Sequence, residues 1–257
     1  GKALFEKGIS RILIGKDTRI SGYMIESALE AGFISAGVEV VLLGPLPTPA
    51  VAYLAKSYQQ AGLVISASHN SYEDNGLKFF NKDGFKISYK LEQRIETLLL
   101  EDSNTVESDK LGKATRLNDA GGRYIEFCKS SVSGLDLSGL SLVVDCANGA
   151  NYSVAPQTFS ELGASVIGVG VSPDGININH NCGSTFPETL KQEVLKNEAH
   201  LGIAFDGDGD RLGVVDNKGK IIYADKIVAF LAKDVLLSLI HISEPTRPRL
   251  ISYAVFW

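Results

Sequence analysis

Asp206-Gly207-Asp208-Gly209-Asp210-Arg211 places three carboxylates within five residues, directly after the apolar run Gly202-Ile203-Ala204-Phe205. The intervening glycines let the backbone bend, so the three side chains can converge on one point. Converging carboxylates repel one another, and a cation is their natural partner. Oxygen-only ligands favour a hard metal such as Mg²⁺ or Ca²⁺ over zinc. An EF-hand loop does not fit: its sixth position holds Arg211 and its twelfth holds Asn217. Leu212 to Val215 also reads as a strand, where an EF-hand requires a helix.

A second group is Ser66-Ala67-Ser68-His69-Asn70, after the apolar run Leu63-Val64-Ile65, with Asp74-Asn75-Gly76-Leu77-Lys78-Phe79-Phe80 close behind. A serine at the carboxyl end of a parallel strand stands on the usual ligand edge of such sheets. Ser-His adjacency by itself does not make a hydrolase: chain neighbours rarely form the required hydrogen bond, and there is no GxSxG elbow. A capping Ser68, a packed His69 and a surface Lys78 explain this segment equally well on local grounds. A third group, Lys16-Asp17-Thr18-Arg19-Ile20-Ser21-Gly22, joins a strand to a helix. Arg19, the Ser21 hydroxyl and the helix N-terminus together suit an anion, although a capping motif with a solvated Arg19 is the plainer alternative. Pro173 to Asn177 reads as a turn, and His180, His200 and His241 lack ligand-like spacing.

These segments need a scaffold, and the flanking pattern supplies one. Short apolar runs at 11–14, 38–43 and 63–65 alternate with helical patterns at 21–36 and 47–58. The helical pattern recurs at 91–100 and 120–131. The alternation restarts with strands at 142–145, 165–169 and 201–205, helices at 153–162 and 187–197, a hairpin turning at 216–219 and a helix over 225–237. Strand–helix–strand units with short connections predict an α/β fold with parallel strands and crossover helices. The Gly- and Ser-containing segment 133–139 is the expected boundary, dividing the chain into 1–137 and 138–237. Residues 238–257 fit neither period. They resemble translated sequencing-adapter sequence and are read as a non-native tail.

Composition narrows the function classes. The 257 residues carry 25 Lys+Arg against 30 Asp+Glu, a net charge of −5, which argues against a general nucleic-acid or anionic-membrane binder. No apolar run is long enough for a membrane span. Cys128, Cys146 and Cys182 show no metal or disulfide spacing and read as thiols of a reducing cytoplasm. There is no initiator Met and no signal-peptide core, so the chain is expected to begin inside a longer protein.

The segments Ile14–Gly22, Ser66–Asn70, Asp74–Phe80 and Asp206–Arg211 stand in an order and at separations that resemble the alpha-D-phosphohexomutase superfamily. Pro47-Thr48-Pro49-Ala50-Val51-Ala52-Tyr53 and Val144-Asp145-Cys146-Ala147-Asn148-Gly149-Ala150 look most like its bacterial amino-sugar branch. The resemblance covers residues 1 to about 237 and implies two similar α/β domains with mixed, mostly parallel sheets and flanking helices. It implies that Ser68 is the phosphoserine, and that Asp206, Asp208, Asp210 and a phosphoserine oxygen bind Mg²⁺. Lys78 and His69 become candidates for proton transfer or phosphate contact, with Arg19, Ser21 and Arg211 contacting the phosphoryl group or substrate. A phosphoserine and three aspartates would carry roughly −4.5 to −5, more than one Mg²⁺ balances, so cations such as Lys78 and Arg211 are needed. A sugar phosphate is the implied substrate and a hexose bisphosphate the implied activator, in a cytoplasmic enzyme of open oligomeric state. The alternatives are a phosphomannomutase/phosphoglucomutase preference and a non-catalytic Mg²⁺ or phospho-ligand module.

The sequence departs from the family pattern in three places. Ser71 stands where many members have Pro, and the opening strand of the first domain is missing. Full members have four domains, including a sugar-recognition loop and a C-terminal phosphate-binding loop, and this chain carries two. Alone it is expected to bind Mg²⁺ and accept phosphate on Ser68, with poor turnover.

Overall fold

The computed structural model describes residues 1–5, 8–101, 105–222 and 224–240. The segment read as a non-native tail lies outside the described residues from position 241 onward, and Ser238 to Ile240 continue the last helix.

Two five-stranded sheets organise the chain. The first contains β1 (Arg11–Lys16), β2 (Glu39–Pro45), β3 (Ala61–Ile65), β4 (Leu77–Phe80) and β5 (Ala114–Arg116), in the order β4-β3-β1-β2-β5. Strands β1, β2, β3 and β5 pair in parallel, and β4 closes one edge antiparallel to β3. The second contains β6 (Ser141–Asp145), β7 (Ser165–Val169), β8 (Leu201–Phe205), β9 (Leu212–Asp216) and β10 (Ile221–Ile222), in the order β10-β9-β8-β6-β7. Here β6, β7 and β8 are parallel, and β9 and β10 form the antiparallel edge. Both sheets are therefore mixed and mostly parallel, as the sequence implied.

Helices α1 (Lys2–Phe5), α2 (Ile20–Ser35), α3 (Thr48–Tyr58), α4 (Tyr89–Leu99) and α5 (Ala120–Ser131) accompany the first sheet. Helices α6 (Val154–Glu161), α7 (Pro187–Lys196) and α8 (Ala224–Ile240) accompany the second. Among the described residues no helix is long and apolar enough to cross a membrane.

The central strands are continuous apolar runs because helices cover them. Every residue of β3 is buried, as is all of β1 after Arg11. One core joins β1 and β3 to α3 and α5 through Leu13, Val51, Leu54, Val64 and Ile125. In the second unit Leu190 and Val194 of α7 pack on Val143, Ala204 and Val215. Gly202 of β8 lets α7 approach, since a Cβ there would lie 2.5 Å from Val194 Cγ2 and 2.9 Å from Leu190 Cδ1. That close seat fixes the strand whose next residues are the acidic motif.

Two strands escaped the sequence reading. β4 sits inside a motif read for its chemistry, and β5 is three mostly polar residues held by one neighbour. The 133–139 segment is a series of turns tied to the second unit: Leu137 N–H donates to Leu162 O at 2.8 Å, and its side chain packs on that unit's core.

Leu190 is fully buried. Leu190→Ala is expected to cost about 2–5 kcal/mol of stability through lost burial and a residual cavity. Urea unfolding followed by circular dichroism measures this, and a change under about 1 kcal/mol would contradict the packing described.

Candidate active site

Four connections leave the carboxyl ends of the parallel strands and meet. Residues 17–19 follow β1, Ser66–Asn70 follow β3, Cys146–Asn151 follow β6, and Asp206–Arg211 follow β8. The two carboxyl edges face each other, and hydrogen bonds to backbone carbonyls join them. Thr48 N–H donates to Asp208 O at 2.8 Å, Ile20 N–H to Gly175 O at 2.8 Å, and Thr18 Oγ1 to Asn148 O at 2.5 Å. The turn expected at Pro173–Asn177 is present, and it supplies the Gly175 carbonyl.

Ser68 meets the acidic motif across this junction. Its hydroxyl donates to Asp206 Oδ2 at 2.6 Å and lies 3.4 Å from Asp210 Oδ1. Single oxygens of Asp206, Asp208 and Asp210 lie within 4.8 Å of one another, and Asp206 and Asp208 are fully buried. Asp206 also bends its own loop, its Oδ1 accepting from Asp210 N–H at 3.1 Å and Arg211 N–H at 3.0 Å. Gly207 leaves room for the serine loop, because a Cβ there would lie 2.6 Å from Ser68 O.

Lys78 on β4 supplies positive charge from the first unit. Its Nζ donates to Asp208 Oδ2 at 2.6 Å and to Asp210 Oδ2 at 3.0 Å. Thr48 adds a hydroxyl bond to Asp208 Oδ2 at 2.5 Å. Burial, reinforced by the Asp208 charge, pushes the Asp206 carboxyl up to about 6. Burial acts the same way on Asp208, but the Lys78 ammonium and the Lys78 and Thr48 hydrogen bonds outweigh it and hold that carboxyl below its ordinary value. Burial pulls Lys78 down, and the two aspartates more than compensate, keeping the ammonium charged above its usual range.

These donors fit a hard divalent cation. All are carboxylate oxygens, and Asp208 Oδ1 is buried without a hydrogen-bond partner. A buried, orphaned acceptor on a carboxylate of such a cluster is costly unless a cation meets it.

Residues 1–106 match the family profile described as phosphoglucomutase/phosphomannomutase, alpha/beta/alpha domain I, and residues 122–219 match domain II of the same family. The chain belongs to the phosphohexomutase family. A curated phosphoglucosamine mutase from Aeromonas hydrophila is 58% identical over 238 residues, covering 92% of this chain and 54% of that protein. Another from Pseudoalteromonas translucida is 56% identical over 234 residues, 90% of this chain and 52% of that protein. The crystal structure of a phosphoglucomutase/phosphomannomutase family protein from Burkholderia thailandensis superposes with a TM-score of 0.78 at 28% identity, covering 93% of this chain and 53% of that one. The chain spans about half the length of the curated relatives it matches.

Arg19, read from the sequence as a phosphate contact, spends its guanidinium on Asp17 and the serine-loop backbone. The side chain is fully buried and all five guanidinium N–H groups are engaged. Nε donates to Asp17 Oδ2 at 2.8 Å, Nη1 to Ser71 O and to Asp74 O at 3.0 Å, and Nη2 to Ser68 O at 3.0 Å and Asn70 O at 2.9 Å. Arg19 is thus the post around which the serine loop winds. Ser21 accepts from Asn75 Nδ2 at 2.9 Å, on the same loop. His69 is exposed, and among the described residues no hydrogen bond ties its ring to the acidic motif. Arg211 contributes its backbone N–H to Asp206 and projects an exposed side chain.

The sequence reading missed Thr48, Asp17 and Ser66. Asp17 Oδ2 accepts from Ser66 Oγ at 2.5 Å, and that oxygen accepts from Ser68 N–H at 3.0 Å. Asp17 adjoins Arg19 in the sequence, a visible hint of a pair. Nothing local marks Thr48, which reads only as the start of α3.

Arg19→Lys keeps the charge and loses the fork. It is expected to cost about 3 kcal/mol or more in chemical denaturation, because buried carbonyls and Asp17 lose donors. Asp206 predicts a pH effect of definite sign. Its folded value of about 6 exceeds the ordinary 3.8, so the folded state binds the proton more tightly. The contribution is fully present below 3.8 and is lost as pH rises toward 6. In EDTA the urea midpoint should fall across that window relative to Asp206→Asn, and equal slopes for the two proteins would refute the assignment.

Proposed function

We propose that this chain carries the phosphoserine and metal-binding half of a phosphoglucosamine mutase, an enzyme interconverting glucosamine 6-phosphate and glucosamine 1-phosphate through a bisphosphate. The observation that carries this reading is the Ser68 hydroxyl, 2.6 Å from Asp206 Oδ2 and contributed by the opposite unit. The two curated relatives support the amino-sugar assignment.

Ser68 is the phosphoryl acceptor and donor. When a sugar bisphosphate loads the site, a P–O bond to the sugar breaks as one forms to Ser68 Oγ. The proton lost by Ser68 ends on the departing sugar oxygen, with Asp206 Oδ2 the acceptor already aligned to relay it. In the mutase cycle the phosphoryl group passes from Ser68 to the sugar phosphate. The bisphosphate then turns over and returns its other phosphoryl group to Ser68. Asp206, Asp208 and Asp210 would hold Mg²⁺, which when bound offsets negative charge on the phosphoryl oxygens. Lys78 holds a proton firmly at Nζ, which suits it to charge stabilisation at the transferring group. Arg211 projects an exposed side chain from the acidic loop and would contact substrate phosphate. His69 is the remaining candidate for phosphate contact, reaching from the loop surface, while Arg19 and Ser21 act through the loop they brace. Residues 1–137 would form the unit bearing Ser68, and 138–237 the unit bearing the metal ligands.

Incubation with glucosamine 1,6-bisphosphate and Mg²⁺ should add one phosphate to the Ser68 peptide, read by mass spectrometry, and none to Ser68→Ala. An unmodified Ser68 overturns the proposal. Mg²⁺ at about a hundred times its Kd should stabilise the protein by about 2.7 kcal/mol. Asp208→Asn should remove most of that gain, and a Tm insensitive to Mg²⁺ would remove the metal site.

A further inference from the structure

Ser68 is one of seven non-glycine residues in the left-handed backbone region among the described residues, at φ 53°. Four of the others, Ala147, Asn148, Asn179 and Asn181, lie in two loops of the second unit at the same junction. Such conformations persist where the surroundings impose them. Their concentration beside one serine calls for a mechanical account.

Asn179 supplies it. Its Nδ2 donates to Ser68 O at 2.9 Å and Asn70 O at 3.0 Å, the same two carbonyls that Arg19 Nη2 grips from the first unit. Two carbonyls can be faced only by the amide nitrogen, so the side-chain orientation is settled. Its Oδ1 is buried and makes no hydrogen bond, so the side chain is held there by its donor end. Gly207 adjoins this contact, since a Cβ there would lie 2.8 Å from Asn179 Nδ2.

A fully buried carboxylate anchors Asn179 in turn. Asp145 Oδ1 accepts from Ala147 N–H at 2.9 Å, and its Oδ2 accepts from Gly183 N–H at 2.7 Å, at either end of the contact. Asn179 N–H then donates to Ala147 O at 2.8 Å. Among the described residues no cation pairs with Asp145. Backbone donors alone receive it, so its geometry serves the two loops.

We propose that Asn179 is a positioning residue for Ser68, fixing the serine loop from the metal-binding side while Arg19 fixes it from the other. The proposal rests on the reading of Ser68 as phosphoryl acceptor. Asn179 touches the loop backbone and no reacting atom, and it acts by holding Ser68 Oγ against the acidic motif. Small misplacements of a nucleophile reduce the rate of the chemical step more than they weaken binding.

Two variants separate the amide from the backbone. Asn179→Gly keeps the left-handed conformation and removes the donor, and Asn179→Asp keeps the shape and turns the donor into an acceptor. Hydrogen exchange over residues 66–74 is measured on the whole chain, together with the rate of Ser68 phosphorylation by glucosamine 1,6-bisphosphate. Both variants should raise exchange in that segment and lower the maximal phosphorylation rate by about tenfold or more. The half-saturating bisphosphate concentration and the Mg²⁺ affinity should move by less than about twofold. Wild-type exchange in both variants overturns the clamp, and faster exchange with an unchanged maximal rate overturns the positioning role. If wild-type Ser68 takes no phosphate, the phosphoryl-acceptor reading fails and the positioning role with it. The exchange measurement then decides the clamp alone.

Discussion

Mutual repulsion among Asp206, Asp208 and Asp210 is the constraint to which the rest of the molecule answers. Three carboxylates with oxygens inside 4.8 Å, two of them buried, do not stay together without compensation. The first unit brings that compensation across the junction as the Lys78 ammonium, the Thr48 hydroxyl and the Ser68 hydroxyl. Burial then divides the load unequally. Asp206 is left with its carboxyl raised to about 6 and Asp208 is held below its ordinary value, because Lys78 and Thr48 both reach Asp208. Two chemically identical side chains two residues apart thereby acquire different characters.

The serine loop answers a different demand. Its sequence is short and mostly polar, and neither Ala67 nor the exposed Tyr72 seats it in a core, so polar bonds must define its path. Arg19 does this from inside, converting one buried cation into contacts with four loop carbonyls. The buried Asp17 keeps that guanidinium neutralised and reaches the loop again through Ser66. A buried ion pair of this kind contributes more to a single defined geometry than to net stability.

Much of the architecture was legible because the parallel strands are uninterrupted apolar runs and the helices between them carry clear punctuation. Pro49 at the start of α3 and Gly37 after α2 are examples, and α5, β7 and β8 have the bounds that periodicity suggests. The acidic motif was legible from residue type and position at a strand end, whereas local grounds left Ser68 open and only the family resemblance singled it out. The bonding of Arg19 was not legible, for a physical reason. A cation beside a helix N-terminus looks the same in sequence whether its donors face a ligand or carbonyls about fifty residues away, and only the loop's path decides. Thr48 and Asn179 were invisible for the same reason, since each acts on a residue more than a hundred positions distant. The edge strand β5 has too few residues to show a period.

The division of the site between two sheets also bears on when it can form. Ser68, Lys78 and the Arg19 post belong to one unit, and Asp206, Asp208 and Asp210 belong to the other. A chain in which only one unit has folded holds either a serine without its carboxylate partner or an acidic loop without Lys78 and Thr48. The site therefore exists only once the junction is assembled. The growing chain completes the serine-bearing unit well before Asp206 is synthesised, and throughout that interval Ser68 lacks the acceptor that aligns it.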